Sequence, residues 1–258
     1  MTAALRVFEY NARVYRRIWR ATLFLTFLAP MLFLASMGVG LGHLIDGAGG
    51  AAAALGGVKY AVFLAPGLLA AQAMQTAGFE STYPIMGRIV WHRIYPGMLA
   101  TPITVPAIVF GQLAWMAVRL LLVNSIFFVV MIGFGVVGSP LGVLGILAGV
   151  LTGLAFAAPI MAFSATQRND SAFNAIFRFL ITPLFLFSGT FFPIERLPAA
   201  LQPVAWFTPT WHGVSLARGL SLGTLDALGV VVHVGVLLAF IALGTAACLV
   251  TFRRALVE

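Results

Sequence analysis

The chain has 258 residues, 61% of them hydrophobic and 9% charged, with a formal net charge of +8 and a mean hydropathy of +1.04. Soluble domains average about 45–50% apolar and about 25% charged residues, so the composition excludes an ordinary soluble enzyme or nucleic-acid-binding module and indicates an integral membrane protein. The basic excess then reads as the positive-inside signature of a multi-span chain, and the single cysteine, Cys248, excludes a disulfide framework.

Residues 3–20 place Leu5, Phe8, Ala12, Tyr15 and Trp19 within one arc at helical spacing, with Arg6, Arg13, Arg17 and Arg20 opposite. This spacing predicts an amphipathic helix with a basic face that lies in the headgroup region before the chain turns into the bilayer. No secretory signal is expected, because the basic segment is long and the apolar run behind it exceeds an h-region. The first span is expected over 21–41 and the second over 60–79, joined by a Gly/Ala-rich flexible connection that contains Asp46. Gln72 and Gln75 set one face of the second span against protein, since hydrocarbon would leave their amides unpaired.

Residues 80–104 carry the richest polar content between spans: Glu80, Arg88, His92 and Arg93 interleaved with Tyr83, Trp91 and Tyr95. Pro84 and Pro96 bracket an 11-residue segment, enough for a short helix. Such a helix is either an interfacial anchor or a docking element for a partner. The third span, 105–134, carries Arg119 near its middle, with Gln112 and Trp115 on the same helical face. A charge at that depth faces the bundle interior and needs a partner. It marks either a polar pathway or, more simply, an arginine satisfied by backbone carbonyls and Gln112.

A tight turn around Gly138 and Pro140 leads into the fourth span, 142–163, and Asp170 or Ser171 is expected to cap the fifth, 171–187. Over 188–226, Pro193, Pro198, Pro203, Pro209 and Gly223 divide an apolar stretch into pieces at 197–207 and 211–222. Each is too short to span, which predicts two re-entrant helices packed where protein satisfies their irregular backbone. The sixth span, 227–251, is interrupted only by His233. With both termini cytoplasmic, eleven of the fifteen basic residues fall inside; Lys59, Arg196 and Arg218 fall outside, and Arg119 is buried. That asymmetry sets the orientation and makes 188–226 external. The expected fold is therefore all-α, integral to the membrane, with six spans in a single transmembrane domain.

Several chemistries are excluded by what is missing. The only lysine is Lys59, so no glycine-rich phosphate loop ends in a lysine, and the chain hydrolyses no nucleotide by that route. No span holds a pair of carboxylates, which argues against a proton-coupled carrier. His43, His92, His212 and His233 lack metal-ligand spacing, and no metal site is expected. Ser188-Gly189 with His233 is similar to the pairing of intramembrane serine proteases, but Leu186 stands where their motif has glycine, and Pro193 prevents a helix from carrying the serine inward. A non-transporting membrane scaffold is the remaining alternative class.

Three motifs carry a family resemblance: Leu99-Ala100-Thr101-Pro102, then Ser188-Gly189-Thr190-Phe191-Phe192-Pro193 with Leu197-Pro198, then Pro209-x-Trp211-His212-Gly213-Val214 followed by Leu216 and Arg218. With the basic amphipathic start and six spans, the whole chain resembles the membrane subunit of a bacterial ABC exporter of the type-2 permease class. The branch it looks most like contains lipo-oligosaccharide (nodulation-factor) export permeases and their drug-resistance relatives. The resemblance implies a separate ATPase, two copies per complex, that docks on 80–104 through Glu80, Arg88, Trp91 and Arg93. Glu80 is the only acid in that loop, a departure from many relatives. It also implies a second permease copy forming a homodimer, an external gate at Phe191, Phe192 and Pro193, and location in the bacterial cytoplasmic membrane. ATP and magnesium would be bound by the ATPase and no cofactor by this chain. Gln112, Trp115, Arg119, Trp206 and Trp211 are the candidate pathway residues for an amphipathic substrate such as a lipo-oligosaccharide, a glycolipid or a hydrophobic drug.

Overall fold

The computed structural model describes residues 2–47, 55 and 57–257, and every regular element among them is helical. The expected Gly/Ala-rich connection falls at 48–54 and 56, outside the described residues.

The first helix, α1 (Ala3–Phe33), runs without a break through the point where the chain was expected to turn. Residues 3–29 contain neither glycine nor proline, so nothing there interrupts the hydrogen-bond ladder. Beyond Pro30 the helix widens into a π-helical stretch, Leu34–Leu41, and ends in α2 (Gly42–Gly47). Next come α3 (Tyr60–Ser81), then α4 (Tyr83–Met86) continued by a widened turn at Gly87–Trp91, and α5 (Ile94–Leu99). The third span is α6 (Val105–Gly133), and a 3-10 turn at Pro140–Leu144 leads into α7 (Gly145–Ser164). The fifth apolar segment, Ser171–Phe187, is built from α8 (Ser171–Ile176), a widened turn and α9 (Thr182–Phe187). Two short helices follow the 3-10 turn Ile194–Arg196: α10 (Gln202–Trp206) and α11 (Pro209–Leu222). The chain closes with α12 (Ala227–Leu256).

Five helical segments among the described residues are long and apolar enough to cross a membrane: Thr26–Gly47, Tyr60–Trp91, Val105–Gly133, Pro140–Ser164 and Ala227–Leu256. Ser171–Phe187, expected as the fifth of six spans, is shorter than these. Its cap also differs from expectation. Asp170 makes no side-chain cap, and Asn169 Oδ1 instead accepts from the Ser171 amide at 3.3 Å and its hydroxyl at 2.6 Å.

α7 is the central post, packed on α12, α3, α6 and α11, while α1 lies along α6. Small residues permit this closeness, as is usual where hydrophobicity cannot drive helix association. On α11 a methyl group at Gly213 would overlap the Thr152 side chain of α7. On α6 a methyl group at Gly111 would come within 2.6 Å of the Ala4 carbonyl oxygen of α1. At one end of the bundle Val7, Ile85, Ile89, Tyr95, Cys248 and Phe252 share one cluster. The beginning of α1, the loop at 83–99 and the end of α12 therefore lie together.

Gly111→Ala and Gly213→Ala are expected to destabilise the chain by about 1–3 kcal/mol each, the usual cost of overpacking. Gly235, with nothing within 4 Å of its added methyl, should tolerate alanine. Thermal midpoints in detergent check the contrast.

Candidate functional site

The polar residues of the apolar helices meet in two places. The first is a buried node around Gln112 on α6, which is 2% exposed. Its Oε1 accepts from Arg88 Nη1 at 2.6 Å, Asn11 Nδ2 at 3.0 Å and the Tyr95 hydroxyl at 3.3 Å. Arg88 Nη1 also donates to the Tyr95 oxygen at 3.3 Å. One amide oxygen thus joins α1, both halves of the 83–99 loop and α6. The neighbouring Trp115 is covered by Phe8 and Tyr15 of α1, with ring centroids at 5.8 and 5.6 Å.

The loop is consequently a folded part of the bundle with a free tip. Ile85, Met86 and Tyr95 are fully buried, whereas Trp91 is 53% exposed and His92 and Arg93 stand beside it in solvent. Arg93 turns the chain between the two helical pieces with φ 49° and ψ 34°, a left-handed conformation rare outside glycine. It is the only non-glycine residue with positive φ among those described, and such strain concentrates at functional sites. Of the four residues expected to face a partner, Arg88 points inward to Gln112 and Glu80 is paired with Arg119, while Trp91 and Arg93 form the tip.

The second polar place is a cleft between α1 and the 171–187 segment. Its lower part, a hollow of about 390 Å³, is lined by Thr22 and Thr26 of α1, Gln72, Gln75 and Glu80 of α3, and Arg119 of α6. Arg119 Nε and Nη2 each donate to Glu80 Oε1 at 3.4 Å, and its guanidinium lies 4.5 Å from the Tyr15 ring centre. The partner of Arg119 is therefore Glu80, since the oxygen of Gln112 is occupied by other donors. Gln75 and Phe79 also line the adjoining hollow, which reaches Phe185. Phe185 in turn borders an apolar hollow of about 610 Å³ together with Phe33, Met37, Phe191 and Phe192. The three hollows follow α3 from Glu80 to Tyr60, about 30 Å at 1.5 Å per residue, which is the thickness of a hydrocarbon core.

Three rings narrow the upper end of this cleft. Phe191 packs 5.2 Å from Phe185 and 6.0 Å from Phe33, and Phe33 lies 6.1 Å from Phe185. They come from the 188–193 turn, α9 and α1. Phe191 and Phe192 were singled out by the sequence; Phe33 and Phe185 were hidden among other apolar residues of their helices. Pro193 stands between this turn and the following 3-10 turn, which packs into a small cluster with Phe192 and Trp211.

Arg218 of α11 secures the same turn. Its Nη2 donates to the carbonyls of Gly189 at 2.8 Å and Thr190 at 3.2 Å, and its Nε donates to the Phe63 carbonyl of α3 at 3.0 Å. Gly189 adopts φ +83°, which L side chains rarely take. The Ser188 and Thr190 hydroxyls bond each other at 3.1 Å, and His233 bonds His212, so the serine and histidine considered as a protease pair have other partners. Trp206 is exposed, and Trp211 packs edge-on to His212 and His233. Of the five candidate pathway residues, Arg119 alone lines the cleft; Gln112 and Trp115 are buried beneath α1, and Trp206 and Trp211 belong to α10 and α11.

A family profile described as ABC-2 type transporter matches residues 4–222. Nodulation protein J of Rhizobium leguminosarum bv. viciae is 32% identical, over 98% of this chain and 95% of its own length. Nodulation protein J of Neorhizobium galegae is 30% identical, over 98% and 93%.

The node yields a paired expectation. Gln112→Leu removes the acceptor shared by three donors, leaving Asn11 only the Val7 carbonyl and Arg88 only the Tyr95 oxygen, and should cost about 1–3 kcal/mol. Gln112→Glu keeps the acceptor and adds a charge opposite Arg88, so stability should be retained. Thermal unfolding of the two variants in the same detergent separates them.

Proposed function

The chain belongs to the ABC-2 type transporter family, and from that membership we propose that it is the membrane subunit of an ATP-driven exporter of amphipathic molecules. The observation that carries the reading is the cleft along α3, polar at its lower end, apolar at its upper end and narrowed there by Phe33, Phe185 and Phe191. A molecule with a hydroxyl- or amide-rich head and a hydrocarbon tail matches both halves. Thr22, Thr26, Gln72 and Gln75 offer hydrogen bonds to the head, and the phenylalanines offer apolar surface to the tail. The naming of the relatives after nodulation is in keeping with a lipo-oligosaccharide as cargo.

The proposed orientation follows the basic residues. Arg6, Arg13, Arg88, Arg93, Arg253 and Arg254 belong to the end where α1 begins, the loop folds and α12 finishes, which the positive-inside rule assigns to the cytoplasm. On this reading the chain lies in a bacterial cytoplasmic membrane with the Phe191 turn outside.

In the proposed cycle two copies of the chain work with two copies of an ATPase subunit. ATP and magnesium belong to that subunit, whose closure moves the Trp91–Arg93 tip. Because Arg88 and Tyr95 are tied to Gln112 and Gln112 to Asn11, displacement of the tip carries α1 and α6 with it. A shift of α1 relative to the 171–187 segment then parts Phe33 from Phe185 and Phe191, opening the outer end.

Two substitutions separate docking from gating. Trp91→Ala with Arg93→Glu should abolish stimulation of the partner ATPase, measured with both subunits in proteoliposomes. Hydrolysis unchanged by the pair would remove the docking role and favour a non-transporting scaffold. Phe191→Ala should leave ATPase binding intact while altering the export rate of a fluorescent acylated oligosaccharide by about tenfold, equivalent to about 1.4 kcal/mol.

A further inference from the structure

His212 on the re-entrant helix α11 and His233 on α12 face each other with their Nδ1 atoms 2.9 Å apart. Both are nearly buried, at 7% and 8% exposure, and Trp211 lies edge-on to the two rings. Arg218 stands six residues beyond His212 on the same helix, about 120° around it. α11 is thus joined to the last span by His212 and to the Phe191 turn and α3 by Arg218.

We propose that His212 and His233 form a proton-breakable latch that positions α11, and through Arg218 the Phe191 turn, against the last span. The positioning role rests on the exporter reading above; the latch chemistry does not. Two nitrogens at this separation hold one proton between them, one ring donating and the other accepting. A first added proton settles on the far nitrogen of the donating ring and leaves the bond in place. A second must occupy the accepting Nδ1, which breaks the bond and sets two imidazolium ions face to face.

No opposite charge softens that outcome. On α11 Arg218 is committed to backbone carbonyls. On α12 Asp226 caps the Gly229 amide, and Cys248, Arg253 and Arg254 belong to the far end. α7, α10 and the Pro140–Leu144 turn contain no ionisable side chain. On α3 Glu80 is at the other end beside Arg119, Tyr60 is neutral, and Glu195 and Arg196 of the neighbouring 3-10 turn are exposed. Burial first, and His233 second, hold His212 below the ordinary histidine range, against a backbone hydrogen bond to Trp206. The sign is therefore fixed: the latch is closed at neutral and alkaline pH and opens as pH falls below the range of a free histidine, about 6.5.

The test uses the full chain in lipid nanodiscs, without ATP or any partner. In hydrogen exchange corrected for intrinsic pH dependence, amides of 209–222 in the wild type should exchange about tenfold faster at acid than at alkaline pH. The double variant His212→Phe, His233→Phe, which keeps ring packing and cannot titrate, should show no such excess. Independently, histidine nitrogen NMR of the wild type should show the shared Nδ1 proton at neutral pH and its loss in acid. Absence of the shared proton, or the same acid response in the double variant, overturns the latch. In a separate assay, export from proteoliposomes that contain the ATPase partner and ATP should respond to outer acid; export that does not respond while the exchange response persists overturns the positioning role alone.

Discussion

The structure depends on one oxygen. Gln112 Oε1 accepts hydrogen bonds from Asn11, Arg88 and Tyr95, and these donors come from segments far apart in sequence. In an apolar bundle an unpaired amide or guanidinium is expensive, so each donor is held to this acceptor by the cost of losing it. The loop at 83–99 is thereby part of the bundle. In the proposed cycle a force applied at Trp91 and Arg93 reaches α1 and α6 through the bonds that meet at this oxygen.

The same economy arranges the rest of the chain. Glu80 and Arg119, the two charges that belong to the middle of the bundle's lower half, neutralise one another at the foot of the cleft. Gln72 and Gln75 face that cleft and not hydrocarbon. At the upper end Arg218 satisfies three carbonyls that the broken backbone at 188–190 and α3 present, which is how irregular chain is tolerated at membrane depth. The upper half of the cleft is left apolar and is narrowed by rings from three separate segments. What results is a cleft with chemically different halves, bounded on one side by α1, which Asn11 links to the loop through Gln112.

Much of this architecture was legible in the sequence because apolar run length and charge placement are local properties. The runs at 60–79, 105–134, 142–163 and 227–251 all correspond to helices, and the prolines from Pro193 to Pro209 mark the short helices α10 and α11. The joint expected near residue 20 does not exist, since the basic face of 3–20 reports its surroundings and not a break in the helix. Within the site, the shared face of Gln112, Trp115 and Arg119 could be read from spacing, but their partners could not. Asn11 lies 101 residues from Gln112 and Glu80 lies 39 from Arg119, and no periodicity reports such pairings. Phe33 and Phe185 were invisible for the opposite reason: in helices this apolar, another phenylalanine carries no signal until the fold places it against Phe191.

The central claim is that the loop tip and the cleft move as one body through Gln112. Pulsed spin-label distances, taken from His92 at the tip and from Phe187 beside the cleft to a reference label at Gly235 on α12, test it in proteoliposomes with the ATPase partner. On ATP binding both distances should change together in the wild type, and Gln112→Leu should leave the tip moving while the Phe187 distance stays fixed. A Phe187 distance that responds equally in the wild type and in Gln112→Leu would contradict the account.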